Sequence, residues 1–139
     1  MRCETQTPAE TEAIGAELAE RLEAGDLVLV AGELGSGKTT FVRGAARALG
    51  VTDPVTSPTF TIGHVYGGGA LEVAHIDLYR LQSLAGEDPA LLDDYLTPER
   101  IGFVEWPELA APELGRPAAR VRIEHLGGDR RAIEVEDEG

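Results

Sequence analysis

Hydrophobic and polar positions along the chain predict an alternation of helices and strands. Isoleucine and leucine recur every four residues over Ile14–Leu22, which is the spacing of one face of an α-helix. Upstream, Thr7 can cap this helix, Pro8 suits its first position and Glu10 can close a capping box. Gly25 is a natural stop signal. The first predicted element is therefore a helix between these two sets of signals.

Extended segments follow on either side of a second helix. The wholly apolar run Leu27–Ala31 predicts a strand that is covered on both faces. Thr40–Leu49 has a helical pattern and is followed by Gly50, a typical helix end. Thr59–Tyr66 and Leu71–Leu78 predict two strands joined by a run of glycines as a hairpin. These elements indicate an α/β chain with an added hairpin.

The C-terminal part of the chain predicts one more short helix and three strands. Pro89–Leu96 is the helix candidate, and Ile101–Val104 is a candidate for a buried strand. Ala119–His125 and Arg130–Glu136 alternate as the two strands of a closing hairpin. The sequence has no internal repeat or long linker, and residues 1–139 are predicted to form a single domain.

Residues 32–39 read Gly-Glu-Leu-Gly-Ser-Gly-Lys-Thr, which is the complete pattern of a phosphate-binding loop (P-loop) in its required place between a strand and a helix. The glycines let successive N–H groups turn towards an anion, and the helix N-terminus adds partial positive charge. Lys38 can reach the β- and γ-phosphates, and the Thr39 hydroxyl can bind Mg²⁺. The predicted fold is thus a P-loop NTPase-like three-layer α/β sandwich, with a largely parallel central sheet and added antiparallel hairpin strands.

Phosphate-loop enzymes usually complete the Mg²⁺ shell with an acidic residue at the end of another core strand. Glu105 directly follows the predicted strand Ile101–Val104, and Asp77 lies in the predicted strand Leu71–Leu78. Each could instead be an ordinary carboxylate, at a strand end for Glu105 and in a turn or beside Arg80 for Asp77. The loop motif favours the metal-binding reading for both.

Three further features adjoin these candidates. Thr59 ends a polar, proline-containing segment like those that sense the γ-phosphate in switch-type enzymes, although its spacing also fits a turn without a ligand. Trp106, the only tryptophan, follows Glu105 and could pack in the core or border the site. The three histidines are too dispersed to predict a metal cluster, and of these only His75 could line the site.

The charge of the chain argues against direct binding of nucleic acid, and its cysteine content bears on the cellular compartment. Twelve basic against 25 acidic residues give a net charge of −13, whereas a protein that binds nucleic acid by itself needs a basic face. Cys3 is the only cysteine, lies in an N-terminus predicted to fray, and cannot form an internal disulfide, which favours a reducing compartment. With neither a membrane-length apolar run nor a signal-peptide pattern, the predicted location is cytoplasmic.

Taken together, four segments resemble the bacterial TsaE (YjeE) family in their order and spacing: residues 32–44, 56–61, 75–81 and 104–108. The phosphate loop alone is widespread, but the combination of all four is specific. This family comprises small ATPases required for making threonylcarbamoyladenosine beside the anticodon of certain tRNAs. The resemblance extends from Thr11 to the C-terminal hairpin, with Glu33 where an aspartate is expected.

The resemblance implies a set of ligands and roles. ATP contacts are implied for Glu33, Leu34, Gly35, Ser36, Gly37, Lys38, Thr39, Thr40, Trp106 and Arg130, and Mg²⁺ binding for Thr39 and Glu105. Catalytic roles are implied for Lys38, for Asp77 near the metal and the attacking water, and for Thr59 in a switch-like loop. The implied partners are the TsaD and TsaB proteins, which carry out threonylcarbamoyl transfer. The tRNA is reached only through them, and no membrane is involved.

Two other functions remain compatible with the loop. A small-molecule kinase shares it, although the sequence lacks an arginine-rich lid segment. A non-catalytic module, in which bound ATP only fixes a shape for partners, is also compatible. The sequence presents no complete water-activating dyad, so hydrolysis is predicted to be slow for the isolated chain and faster with partners.

Overall fold

A computed structural model of the chain describes residues 1–33, 36–55, 63–67, 71–78, 95–106 and 116–137. Within these ranges, seven strands form one sheet in the order β1-β7-β6-β2-β5-β4-β3. The elements are β1 (Arg2–Thr5), α1 (Pro8–Ala19), β2 (Leu27–Gly32), α2 (Lys38–Ala48), β3 (Gly63–Tyr66), β4 (Glu72–Asp77), β5 (Arg100–Glu105), β6 (Ala119–Gly127) and β7 (Arg130–Asp137).

The centre of the sheet is parallel and its margins are antiparallel. Strand β2 pairs in parallel with β5 and with β6, and β4 pairs in parallel with β5. Strand β3 adds antiparallel to β4, while β7 and then β1 add antiparallel at the other side. The predicted α/β class, with a parallel core and added antiparallel strands, is confirmed. The carboxyl ends of β2, β4 and β5 meet at one edge, where ligands bind in such sheets.

Helices α1 and α2 pack together on one face of the sheet over the larger core cluster. Their contact is close because both helices carry glycine where they meet. A Cβ atom on Gly15 would lie 2.2 Å from the Phe41 carbonyl oxygen, and one on Gly44 would lie 2.0 Å from that of Glu12. No helix in the described part of the chain is long and apolar enough to cross a bilayer.

The other face carries a smaller apolar cluster, formed by Leu27, Leu29, Ile76, Leu78 and Val104. Alternation along β2 therefore sends leucines to this face and Val28 and Val30 to the helical face, so the strand is covered on both sides as predicted. The predicted helix over 89–96 falls mostly outside the described residues. Its last two residues, Tyr95 and Leu96, lie in a turn and in irregular structure.

The helix ends follow the sequence signals with one exception. The Thr7 hydroxyl accepts a hydrogen bond from the Glu10 N–H at 3.2 Å, as predicted for an N-cap. Helix α1 nevertheless ends at Ala19 rather than near Gly25. Gly25 instead takes φ +91° in the turn before β2, where its N–H donates to the Arg100 carbonyl at 2.8 Å. Gly25 is therefore needed for the turn before β2 and does not end α1.

The prediction of a frayed N-terminus is wrong. Arg2–Thr5 forms β1, paired with β7 through registers such as Cys3 with Ile133. The ammonium group of Met1 donates to the Val135 carbonyl at 3.0 Å. A four-residue edge strand with little apolar alternation gives no local signal, because its partner lies at the far end of the chain.

Pairing in β1 also affects the one thiol of the protein. Burial raises the pKa of the Cys3 thiol and the nearby Glu17 carboxylate raises it further, whereas the N-terminal ammonium group lowers it. The net shift is upward, so the thiolate is disfavoured. Because thiol reactivity requires the thiolate, the raised pKa disfavours Cys3 as a nucleophile.

Candidate functional site

The phosphate loop connects the end of β2 to the start of α2, at the edge where the parallel strands end. Gly37 precedes the helix with φ +102°, a conformation that favours glycine. A Cβ atom on Gly32 would lie 2.6 Å from the Ser36 hydroxyl oxygen and 2.6 Å from the Ile123 carbonyl oxygen. Both glycines are therefore required by the path of the loop. Leu34 and Gly35 lie outside the described residues.

Lys38, the only lysine in the chain, is held inside the loop. Its ammonium nitrogen donates to the Gly32 and Glu33 carbonyls at 2.8 Å each, and its side chain is only 5% exposed. The same nitrogen lies 4.3 Å from the centroid of the Trp106 ring, within range of a cation–π contact. The structure thus brings together two of the predicted site residues.

Trp106 has an unusual backbone conformation as well. Its φ of 60° places it in the left-handed region, which costs a non-glycine residue about 1–3 kcal/mol and tends to occur at functional sites. Its N–H donates to the Val30 carbonyl at 3.3 Å. This bond fixes the residue after β5 against the strand that leads into the phosphate loop.

Thr39 and Glu105 lie in direct contact beneath the loop. The Thr39 hydroxyl donates to Glu105 Oε2 at 3.1 Å, and Glu105 is 3% exposed. Strands β4 and β5 are in register with Asp77 opposite Glu105, so both acidic residues end neighbouring parallel strands. Asp77 is half-buried. The three residues predicted at the metal therefore occupy the same edge of the sheet.

The donors present suit a small, hard cation bound by few protein ligands. Among the described residues, no group of three or more His, Cys, Asp or Glu side chains could hold a metal ion. Mg²⁺ does not need such a group, because it usually keeps several waters and takes one or two carboxylates together with phosphate oxygens. The Thr39 and Glu105 oxygens fit this pattern.

Ser36 carries a buried polar group that has no partner among the described residues. Its hydroxyl is buried and makes no hydrogen bond within the described ranges, although buried polar atoms are almost always paired. The residue lies in the loop, two positions before Lys38 at the start of α2. An oxygen-rich anion bound at the loop would satisfy this hydroxyl, so the site fits a phosphate group.

An open cleft of about 650 Å³ adjoins the loop and is lined by Ala31, Gly32, Glu33, Trp106, Arg122, Ile123 and Glu124. Its volume falls within the range of small-molecule sites, which is about 300–1,000 Å³. It lies at the carboxyl ends of β2 and β5, where α/β sheets bind ligands. The loop therefore borders a space that can accommodate a nucleotide.

Among the described residues, Arg131 is an arginine that reaches the loop. Its Nε donates to the Ser36 carbonyl at 2.7 Å, and its Nη1 donates to the Gly128 carbonyl at 2.7 Å. The predicted Arg130 instead forms an exposed ion pair with Glu4 at 3.6 Å. Successive residues of a strand point to opposite faces, so a shift of one position along β7 decides which arginine faces the loop.

The remaining predicted residues divide into those described and those outside. Thr40 lies half-buried in the first turn of α2. Thr59 lies outside the described residues. His75, the histidine that the sequence offered as a possible site-lining residue, is fully buried and its Nε2 contacts Glu105 Oε2. No local signal could have identified this contact, because it depends on the register of β4 against β5.

Comparison with known proteins supports a common architecture. The family model described as "Threonylcarbamoyl adenosine biosynthesis protein TsaE" matches residues 5–133. The crystal structure of Bacillus subtilis YdiB is similar to this chain with a TM-score of 0.81 and 34% identity, covering 100% of this chain and 86% of that one.

Three curated relatives are each described as "tRNA threonylcarbamoyladenosine biosynthesis protein TsaE". The protein from Bacillus subtilis (strain 168) is 38% identical over 96% of this chain and 83% of its own length. The protein from Streptomyces coelicolor is 42% identical over 84% of this chain and 80% of its own. The protein from Treponema pallidum is 35% identical over 97% of this chain and 99% of its own.

Proposed function

The chain belongs to the TsaE family of threonylcarbamoyladenosine biosynthesis proteins, and from this premise we propose that it binds and hydrolyses Mg·ATP in support of that tRNA modification. The observation that carries the proposal is the contact between Thr39 and Glu105 directly beneath a phosphate loop. A hydroxyl has one proton to donate and two lone pairs to offer. Thr39 can therefore donate to Glu105 and still bind a cation.

The residues of the loop supply most of what phosphoryl transfer requires. Main-chain N–H groups at the start of α2 and the Lys38 ammonium group would bind and orient the phosphates, because fixed charges and dipoles stabilise developing negative charge. Thr39 and Glu105 would hold Mg²⁺, which when bound would neutralise negative charge on the phosphates. Asp77, at the end of the neighbouring strand, would orient the attacking water.

We propose that TsaD and TsaB are the partners and that they present the tRNA. The net charge of −13 supports this arrangement, since a protein that grips RNA alone would show a basic face. Hydrolysis is expected to be slow for the chain by itself. Partners would speed it by ordering the segment that contains Thr59 or by supplying a missing group.

The lysine content of the chain allows a direct test of where the nucleotide binds. An ATP analogue activated as an acyl phosphate transfers its acyl group to an amine beside the phosphates, and Lys38 is the only lysine. We expect one labelled side chain, identified by peptide mass spectrometry and protected by excess Mg·ATP. The N-terminal amine serves as the internal control. Labelling confined to Met1, or unaffected by ATP, would exclude the proposed phosphate site.

Coupling to the partners is tested by phosphate release. We expect the rate for this chain to rise several-fold when TsaD and TsaB are added, and to rise less when tRNA is added without them. Equal rates with and without the two proteins would refute the coupling. Detection of inorganic phosphate, rather than of a phosphorylated metabolite, distinguishes hydrolysis from the kinase alternative.

A further inference from the structure

His75 lies in the middle of β4 and is completely buried. Its side chain is on the face of the sheet that the helices cover. The next residue along β4, Ile76, belongs to the cluster on the opposite face, and successive residues of a strand alternate between faces. The Cα partner of His75 across the sheet is Phe103, and Asp77 is paired with Glu105. The imidazole therefore reaches along the sheet, past its own register position, to contact the Glu105 carboxylate with Nε2.

His75 and Thr39 contact the same carboxylate oxygen of Glu105. Glu105 Oε2 accepts from the Thr39 hydroxyl at 3.1 Å and also contacts His75 Nε2, and neither contact uses Oε1. Because a carboxylate offers only acceptors, we assign Nε2 as the donor. The three side chains thus form a chain that runs from α2 through β5 to β4. Two donors from two different elements hold one carboxylate oxygen, which fixes the side-chain torsions of Glu105.

The second ring nitrogen argues against packing as the only role of His75. Nδ1 is buried and has no hydrogen-bond partner in the described part of the chain. An unpaired buried polar atom is unfavourable, and an apolar side chain of similar volume would avoid it. What the imidazole provides here, and an apolar group would not, is the hydrogen bond to Glu105.

We propose that His75 is a positioning residue that orients the Glu105 carboxylate for Mg²⁺. The inference rests on the proposed function, because it assigns His75 to the ion-binding carboxylate of that site. His75 does not touch the ion or the nucleotide. It acts through Glu105, as the outer hydrogen-bond partners of metal ligands commonly do. Without it, Glu105 would keep, of these two contacts among the described residues, the one with Thr39 and would sample other rotamers.

Two amide replacements separate this role from simple packing. The side-chain nitrogen of glutamine reaches to about the place of Nε2, whereas that of the shorter asparagine reaches only to that of Nδ1. His75→Gln therefore keeps a donor for Glu105, and His75→Asn removes it while remaining polar. His75→Phe removes all donors but keeps the ring. Each variant is first checked for a cooperative thermal transition in EDTA.

The measurement is the Mg²⁺ affinity of each variant loaded with a fluorescent ADP analogue, together with its affinity for that analogue in EDTA. We expect His75→Asn and His75→Phe to bind Mg²⁺ about 10-fold or more weakly, the usual range for such outer partners. His75→Gln should stay near the wild type, and binding in EDTA should be unchanged in all. Wild-type Mg²⁺ affinity in the asparagine variant, or an equal loss in the glutamine variant, would overturn the inference.

If the His75 variants do not fold, an NMR measurement on the native His75 side chain still tests the inference. In protein labelled with ¹⁵N-histidine and carrying His64→Gln and His125→Gln, His75 is the only histidine left. Its Nε2–H signal is expected to shift when Mg²⁺ is added to the ADP complex, and an unchanged signal would overturn the inference. If ADP binding by the wild type does not respond to Mg²⁺ at all, the proposed metal site itself is wrong. If instead the wild type responds to Mg²⁺ and the His75 variants bind Mg²⁺ equally tightly, the metal site stands and only the role of His75 is wrong.

Discussion

Replacement of Lys38 by alanine is expected to lower the rate of ATP hydrolysis about a hundred-fold or more, the effect of losing one preorganised donor to a developing charge. The side chain is buried and makes two 2.8 Å hydrogen bonds to carbonyls of its own loop. Lys38→Ala therefore removes the positive charge and also releases the loop backbone that this charge holds. The rate of phosphate release at saturating Mg·ATP measures the effect.

Arg47 provides the matched control for Lys38. It lies in the same helix, carries the same charge and forms an exposed ion pair with Glu12 at 2.8 Å, with 65% of its side chain accessible. Exposed pairs of this kind contribute about 0–1 kcal/mol, so Arg47→Ala should leave the hydrolysis rate unchanged. A Lys38→Ala variant that keeps most of its activity would contradict the assignment of the loop.

Replacement of Gly44 by alanine is expected to destabilise the fold, although alanine is the better helix former. Helix propensity alone would favour alanine by about 1 kcal/mol. The added Cβ would lie 2.0 Å from the Glu12 carbonyl oxygen and 2.5 Å from its carbonyl carbon, and these are backbone atoms that cannot rotate away. The helices must separate, and overpacking of this kind costs typically about 1–3 kcal/mol or more.

Urea denaturation followed by circular dichroism measures this change in the free energy of unfolding. Gly67→Ala is the control, because a Cβ there would meet nothing within 4 Å and substitutions at such sites usually change stability by less than about 0.5 kcal/mol. A Gly44→Ala variant as stable as the Gly67 control would show that α1 and α2 do not pack as closely as described.

The elements around the phosphate loop are predictable because their local signals agree with the tertiary structure. The apolar run Leu27–Ala31 is covered on both faces, and the helix predicted from Thr40 begins at Lys38. Its stop at Gly50 is confirmed by φ +94° and by a hydrogen bond from the Val51 N–H to the Ala46 carbonyl at 3.0 Å. Here periodicity, capping and burial all favour the same boundaries.

Prediction of secondary structure from the sequence fails where the hydrogen-bond partner of a segment lies far away along the chain. Strand β1 is stabilised by β7, more than a hundred residues away, and no feature of Arg2–Thr5 signals that pairing. Gly25 is a second case, because its N–H donates to the distant Arg100 carbonyl in a turn and the residue does not mark the end of α1. In both regions, long-range hydrogen bonds outweigh the local preference.

The residues of the candidate site also divide into those that the sequence predicts and those that it does not. Thr39 and Glu105 follow from motif chemistry, since a phosphate loop needs an acidic partner at a strand end. Arg131 and His75 do not follow, because their contacts depend on the register of a hairpin and of two parallel strands. A difference of one residue in register would turn either side chain to the opposite face.

The order of strands in the sheet has a consequence for biosynthesis. Strand β2, which leads into the phosphate loop, pairs with β5 on one side and with β6 on the other. While the ribosome has not yet released β6, one edge of β2 remains open, and an open apolar strand edge promotes aggregation. The sheet closes only when the last hairpin emerges and β1 can join it. The nascent protein can therefore complete its sheet only after the last hairpin has been synthesised.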